Sequence, residues 1–349
     1  MSEELVFVYR GDLVEDIHRG DIAVTDAEGR IIASAGDIGK RSYMRSAAKP
    51  IQAACVVLSG AMEEYGLTKK ELAIICASHR GDSEHVKTVN SILKKLGLDK
   101  SYLKCGILQP LDRKRANDMI RVGLAFDEVT CNCSGKHSGM LATCLKKGYP
   151  LEDYTDMDHP LQKDILKIIS VYSKMKEEEI SIGIDGCGVP VFGMSVYNMA
   201  MAFANMADPS GLPDSYRNAS EEIIDAMVTY PEMIAGKEGF DTQLMQVTKG
   251  RLFSKIGADG VLCVGIKEKG WGLAAKIEDG SASSSYCAVC EALYQLGVLT
   301  DSEVEQLKPF HYKVVYNNHK AAVGKYVPDF NLNIYCLLYT SDAADDLLC

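Results

Sequence analysis

The residues best able to do chemistry lie in a few short blocks. The first is Ser46-x-x-Lys49, inside Arg45-Ser46-Ala47-Ala48-Lys49-Pro50, which runs into an apolar stretch at 51–58. On a helix, residues three apart share one face, so the amine reaches the hydroxyl. Burial and the positive end of a helix both disfavour the charged amine and make it a base able to activate a serine. The same pattern also describes a helix-capping serine followed by a solvated lysine. The second block joins Cys133-Ser134-Gly135-Lys136-His137 to Cys187 in Asp185-Gly186-Cys187-Gly188. Two thiols with nitrogen donors suit a soft or borderline divalent ion such as zinc, provided the lysine gives up its proton. Two buried cysteines in glycine-rich turns are the plainer alternative.

The third block is Lys255-Ile256-Gly257, directly before Ala258-Asp259-Gly260. In penicillin-recognising enzymes a Lys-Thr-Gly strand faces the reactive serine across a cleft; an ordinary edge-strand lysine is the other reading. Cys287-x-x-Cys290 falls inside a predicted helix with no second cysteine pair at zinc spacing, and is read as two core thiols.

Several elements must position these groups. Leu5–Tyr9 alternates like a strand, and 21–26 and 30–34 flank Ala27-Glu28-Gly29 as a hairpin does. Ser46 is expected to cap the helix that carries Lys49. Helices over 68–76 and 83–96 enclose the loop Ala77-Ser78-His79-Arg80-Gly81-Asp82, with Asp82 as a cap. Cys133 feeds a helix ending near 147, and a short strand at 180–184 leads into Asp185. Helices over 194–206 and 219–230 follow. Strands at 251–256, 260–266 and 271–277 then give way to a closing helix over 283–296. Strands at both ends with helices between predict an α+β fold, a mixed or antiparallel sheet with a helical region folded onto it. Residues 1–330 are read as one domain.

The chain has 349 residues and a formal charge of −10. That balance argues against nucleic acid or an anionic membrane as partner, since both need clustered Lys and Arg. The opening MSEELVFVYRGD carries acids where a basic leader would stand, and no apolar run is long enough to span a bilayer. A cytoplasmic address follows as an expectation, with the 12 cysteines reduced. After Phe330 the sequence becomes NLNIYCLLYTSDAADDLLC, without Lys, Arg or amphipathic period. Residues 331–349 are therefore read as a non-native or disordered tail.

Taken together the blocks resemble the Rhizobium-type asparaginase II family. The matching stretches are Arg45–Pro50, Ala77-Ser78-His79, Cys133–Met140, Asp185–Phe192, Pro231–Gly236, Phe240-Asp241-Thr242, Lys255–Gly260 and Lys276–Gly280. The resemblance spans roughly residues 5 to 330 and implies a serine β-lactamase-like fold, a homodimer and release of ammonia from L-asparagine. It implies two Ser–Lys dyads, Ser46 with Lys49 and Ser78 with Lys255. It also makes Cys133, Lys136 and Cys187 similar to zinc ligands, the ion aiding substrate positioning. Arg45 and His137 are then candidates for the substrate carboxylate and Asp185 for its amine. Arg80, Asp82-Ser83, Ile256 and Ser283–Ser285 depart from the family pattern, which bears on substrate affinity more than on reaction type. The rival readings are a β-lactamase-like amidase acting on another small amide, and a non-catalytic zinc- or ligand-binding relative.

Overall fold

Side-chain alternation along the strands builds a sheet that is apolar on both faces. A computed structural model describes residues 1–335. Its strands are β1 Glu3–Arg10, β2 Leu13–Asp26, β3 Ile31–Ala35, β4 Arg41–Tyr43, β5 Ser181–Ile184, β6 Pro190–Ser195, β7 Leu252–Ile256, β8 Val261–Ile266, β9 Trp271–Ile277, β10 Val314–Tyr316, β11 Ala322–Pro328 and β12 Asn333–Ile334. The main sheet runs β10-β11-β1-β2-β9-β8-β7, with β3 on β2 and β12 on β3. Its described pairings are antiparallel. A second sheet, β4-β6-β5, is antiparallel as well. The chain is α+β, as its element order predicts.

Along these strands neighbouring residues point to opposite sides. Ala23, Phe253, Cys263 and Ala274 belong to one buried cluster, which continues into the helical region. Their neighbours Ile22, Val24, Leu252, Leu262, Val264, Leu273 and Ala275 belong to the other, under the helix Ala282–Gln295. A one-residue slip would swap the two sets, so both cores together fix the register. The helix Val196–Ala207 lies on β9, β2 and β8 and ties the helical region to the first face. Cys287 and Cys290 are fully buried on the second face and unpaired, as expected of core thiols.

Local signals fix several helix starts. Thr68 accepts from Glu71 N–H while the Glu71 side chain accepts from Thr68 N–H, a reciprocal cap for the helix Lys69–Ile75. Asp82 accepts from the Glu84 and His85 N–H groups at the head of the helix Ser83–Leu96. Ser46 behaves differently from expectation. It lies inside a 3-10 turn, Arg45–Ala48, and its side chain caps nothing; the α-helix begins only at Lys49.

The boundary at 330 also moves. Phe330 and Leu332 are buried in the second core, β12 pairs with β3, and Tyr335 N–H donates to Ile32 O at 2.9 Å. Residues 331–335 are thus part of the fold, while 336–349 lie outside the described residues.

Candidate active site

The 3-10 turn at Arg45–Ala48 is held from two sides. Met44 N–H donates to Phe192 O of β6 at 2.9 Å. Gly257, just past β7, passes behind the turn so closely that a Cβ there would sit 2.6 Å from Met44 O. The first and third sequence blocks therefore touch through backbone. Arg45 adopts a left-handed φ of 51°, a conformation that costs a non-glycine residue about 1 kcal/mol or more and that functional sites tend to keep. Its neighbour Ser46 makes no side-chain hydrogen bond among the described residues. Ser46 lines a cavity of about 350 Å3 together with Arg45, Cys133, Asp185 and Cys187.

Behind that cavity sits Lys49, 1% exposed. Its Nζ donates to Ala77 O at 2.8 Å and Ser78 Oγ at 3.0 Å, and faces Cys133 Sγ at 3.3 Å. The loop that presents Ser78 is locked from beneath. Gly81 N–H donates to His79 Nδ1 at 3.1 Å, which leaves the proton on Nε2, 2.8 Å from Ser134 Oγ. Burial pushes the His79 imidazole down to about 3, with His85 and Lys49 adding to the effect, so this ring is a neutral strut. Gly135 lets the helix Ser134–Lys147 close on the helix Lys69–Ile75 that leads into this loop, since a Cβ there would meet Ile74 O at 2.2 Å.

Lys255 is fully buried on β7. Its Nζ donates to Ile256 O at 2.8 Å and lies 3.7 Å from Asp241 Oδ2, also fully buried. Asp241 in turn accepts from Ser254 Oγ at 2.8 Å and from Ile256 N–H at 3.1 Å. Burial pushes the Lys255 amine down to about 8; Asp241 resists this, and the nearby charge of Lys49 assists it.

The hydrogen bonds thus differ from the dyads expected from sequence. Lys49 reaches across to Ser78, and Lys255 donates to a carbonyl of its own strand. The Lys49 amine is instead turned inward, to Ala77 O, Ser78 Oγ and Cys133 Sγ, while Ser46 lines the cavity. Asp241 was the group missed. It sits inside one of the matching sequence stretches, but only the fold brings it to Lys255.

The proposed metal ligands do converge. Lys136 Nζ donates to Cys187 Sγ at 3.0 Å. Cys133 contacts the sulfurs of Cys131 and Cys187, which hold its thiol well below the usual range. Burial opposes the charge on Lys136, but the Cys187 and Cys133 sulfurs outweigh it and hold the amine above its ordinary value. Among the described residues no three His, Cys, Asp or Glu side chains are grouped as a metal would need. The third donor beside the two thiols is the Lys136 amine, so the set fits zinc only once that amine is deprotonated.

The substrate-binding candidates divide. Arg45 Nε donates to Asp185 Oδ1 at 3.0 Å, and Arg45 also pairs with Asp259, so the two candidates already face each other at the cavity wall. His137 is fully buried, and burial followed by the Lys136 charge holds it well below the usual range. Tyr154 Oη accepts from Lys104 N–H at 2.8 Å and lies 2.7 Å from His137 Nδ1, which assigns the hydroxyl proton to Nδ1 as acceptor. Nε2 then carries a proton with no acceptor among the described residues. His137 is a neutral donor rather than the cation that a carboxylate pair would use.

Compared with known proteins, residues 6–328 match the family model described as L-asparaginase II. Among solved structures, the chain is similar to a β-lactamase from Mycobacterium bovis, at 12% identity and a TM-score of 0.42, over 80% of this chain and 95% of that one. No curated protein matches it.

Proposed function

Since the chain belongs to the L-asparaginase II family, we propose that it hydrolyses the side-chain amide of L-asparagine to L-aspartate and ammonia by acyl transfer through a serine. The observation that carries this reading is the buried Lys49 amine, 3.0 Å from Ser78 Oγ, directly behind a cavity that Ser46 lines with a free hydroxyl.

Ser46 Oγ attacks the amide carbon, and its proton passes to the buried amines. Burial pushes the Lys255 amine down to about 8, with the nearby charge of Lys49 assisting, so Lys255 takes up that proton. Ser78, hydrogen-bonded to Lys49, hands a proton to the departing nitrogen as the C–N bond breaks. Ser78 regains a proton from Lys49; water then attacks the β-aspartyl ester, its proton going to the Lys49 amine while Lys255 returns a proton to the Ser46 oxygen as the ester C–O bond breaks. Asp185 with Arg45 supplies charges of both signs at the cavity wall, for the substrate's amine and carboxylate.

Cys133, Lys136 and Cys187 would hold zinc, which when bound supplies positive charge that helps fix the substrate. Dialysis against a chelator should lower kcat/KM without abolishing turnover; complete loss, restored by zinc, would mean that the ion takes part in the chemistry. The exposed apolar side chains Ile107, Leu108, Leu111, Ile120, Val122 and Leu124 support a homodimer formed through the segment beside the cavity. No helix among the described residues is long and apolar enough to cross a membrane.

Ammonia release from L-asparagine, compared with L-glutamine and with nitrocefin hydrolysis, tests the assignment. Turnover of nitrocefin alone would give the site to the amidase reading, and turnover of none of the three to the non-catalytic one. A pocket separates asparagine from glutamine by packing alone only to about 1–3 kcal/mol, so weak glutaminase activity is expected. A neutral Lys255 also sets a pH dependence. kcat/KM should rise as pH increases through about 8, where that amine loses its proton, and a flat profile from pH 6 to 9 would exclude the role.

A further inference from the structure

Two points of backbone strain meet beside the cavity. Among the described residues five non-glycine positions have a left-handed φ, and Arg45 and Asp259, at 51° and 57°, are two of them. These two are joined to each other: Arg45 Nη1 pairs with Asp259 Oδ2 across 214 positions of chain. Strain of this kind persists only where the surroundings over-determine it, and it gathers at ligand clamps and switches. Arg45 lines the cavity, and so does Ala258, the residue before Asp259.

The two carboxylates on Arg45 are held unequally. The Asp185 side chain is 12% exposed, and its Oδ1 accepts from Arg45 Nε at 3.0 Å and from Gly186 N–H at 2.9 Å. The Asp259 carboxylate is 65% exposed and has no second partner among the described residues. Its backbone, by contrast, is fixed. Lys276 Nζ donates to Asp259 O at 2.6 Å, and Ile277 N–H donates to Gly260 O at 3.0 Å. Only the Asp259 side chain has to swing for the pair to open. Arg45 Nη2 has no acceptor among the described residues. Once Nη1 is released, Nη1 and Nη2 together form the two-pronged donor that fits a carboxylate.

We propose that Asp259 is an internal stand-in for the substrate carboxylate: it latches Arg45 before substrate binds and is displaced by the α-carboxylate of the amino acid. This rests on the amidohydrolase reading and makes Asp259 a specificity-determining residue of that site. A ligand with a carboxylate exchanges one ion pair on Arg45 for a two-pronged one. A neutral ligand has nothing to offer the guanidinium and leaves the latch shut. Because two carboxylates compete for one cation, the apparent affinity for substrate is reduced by the fraction of molecules in which the latch is closed.

The experiment compares the parent with Asp259→Asn and Asp259→Gly, two residue types that tolerate a left-handed φ, so that either variant alone decides the matter. KM and kcat are measured for ammonia release from L-asparagine, and L-aspartate binding is measured by titration calorimetry. Losing an exposed ion pair of this kind should lower KM by about two- to five-fold and tighten L-aspartate binding by the same factor, with kcat little changed. The latch is overturned if KM and L-aspartate affinity stay at the parent values. It is overturned equally if both weaken, which would make Asp259 a group that binds the substrate amine, or if L-aspartate binds to none of the proteins. No ammonia release, with L-aspartate bound more tightly by the variants, would remove the amidohydrolase reading and keep the latch. Full turnover with unchanged constants would keep that reading and remove the latch.

Discussion

Replacing Ser46 by alanine should lower ammonia release from L-asparagine by about 1,000-fold or more, the scale seen when a covalent nucleophile is removed from a serine hydrolase. The same change should leave stability within about 0.5 kcal/mol, because the hydroxyl has no partner in the described structure and its loss strands nothing. Steady-state ammonia assays and guanidinium unfolding curves on the same preparations check both halves. A variant that keeps a tenth or more of the parent rate would take Ser46 out of the nucleophile role and leave Ser78, in contact with Lys49, as its successor.

Asp241→Asn is expected to produce the largest combined effect on stability and pH behaviour. Asp241 and Lys255 are both fully buried, 3.7 Å apart, so neutralising the acid leaves a buried amine facing no charge. Breaking such a pair by removing one partner costs about 3–5 kcal/mol. Because Asp241 holds the Lys255 pKa up against burial, its loss should also move the acid limb of kcat/KM from about 8 to lower pH. A role confined to folding would cost stability and leave the limb where it stands. Unfolding midpoints and a pH profile measured side by side distinguish the two.

What could be read from the linear chain was set by local physics. Caps announce themselves through short polar side chains beside apolar runs, which is why the helices following Thr68 and Asp82 begin where expected. That Cys133, Lys136 and Cys187 belong together was suggested by residue type, and the fold does bring the Lys136 amine to Cys187 Sγ at 3.0 Å. The partners of the lysines were not legible. The Lys49 amine turns to Ser78 and Cys133, groups that only the fold brings to it, and nothing in Arg45-Ser46-Ala47-Ala48 announces a left-handed φ at an arginine. Asp241 precedes Lys255 by fourteen positions and reaches it only because the helix Phe240–Val247 packs beside β7. The protonation state of His137 follows from how completely the surrounding helices enclose it, a property of packing rather than of sequence. Leu332 and Tyr335 looked foreign by composition, yet both find seats along β3 and the second core.

Lys49, Ser78 and Cys133 hang from the helical layer, whereas Lys255 hangs from the rim strand of the sheet, with Asp241 on the helix packed beside it. Turnover therefore reports on how these two layers are seated, while ellipticity reports only on each layer's own backbone. In a denaturant titration the first signal should fade before the second. Over that interval a spectroscopically folded sample would overstate the number of working molecules, and active-site titration is the proper count.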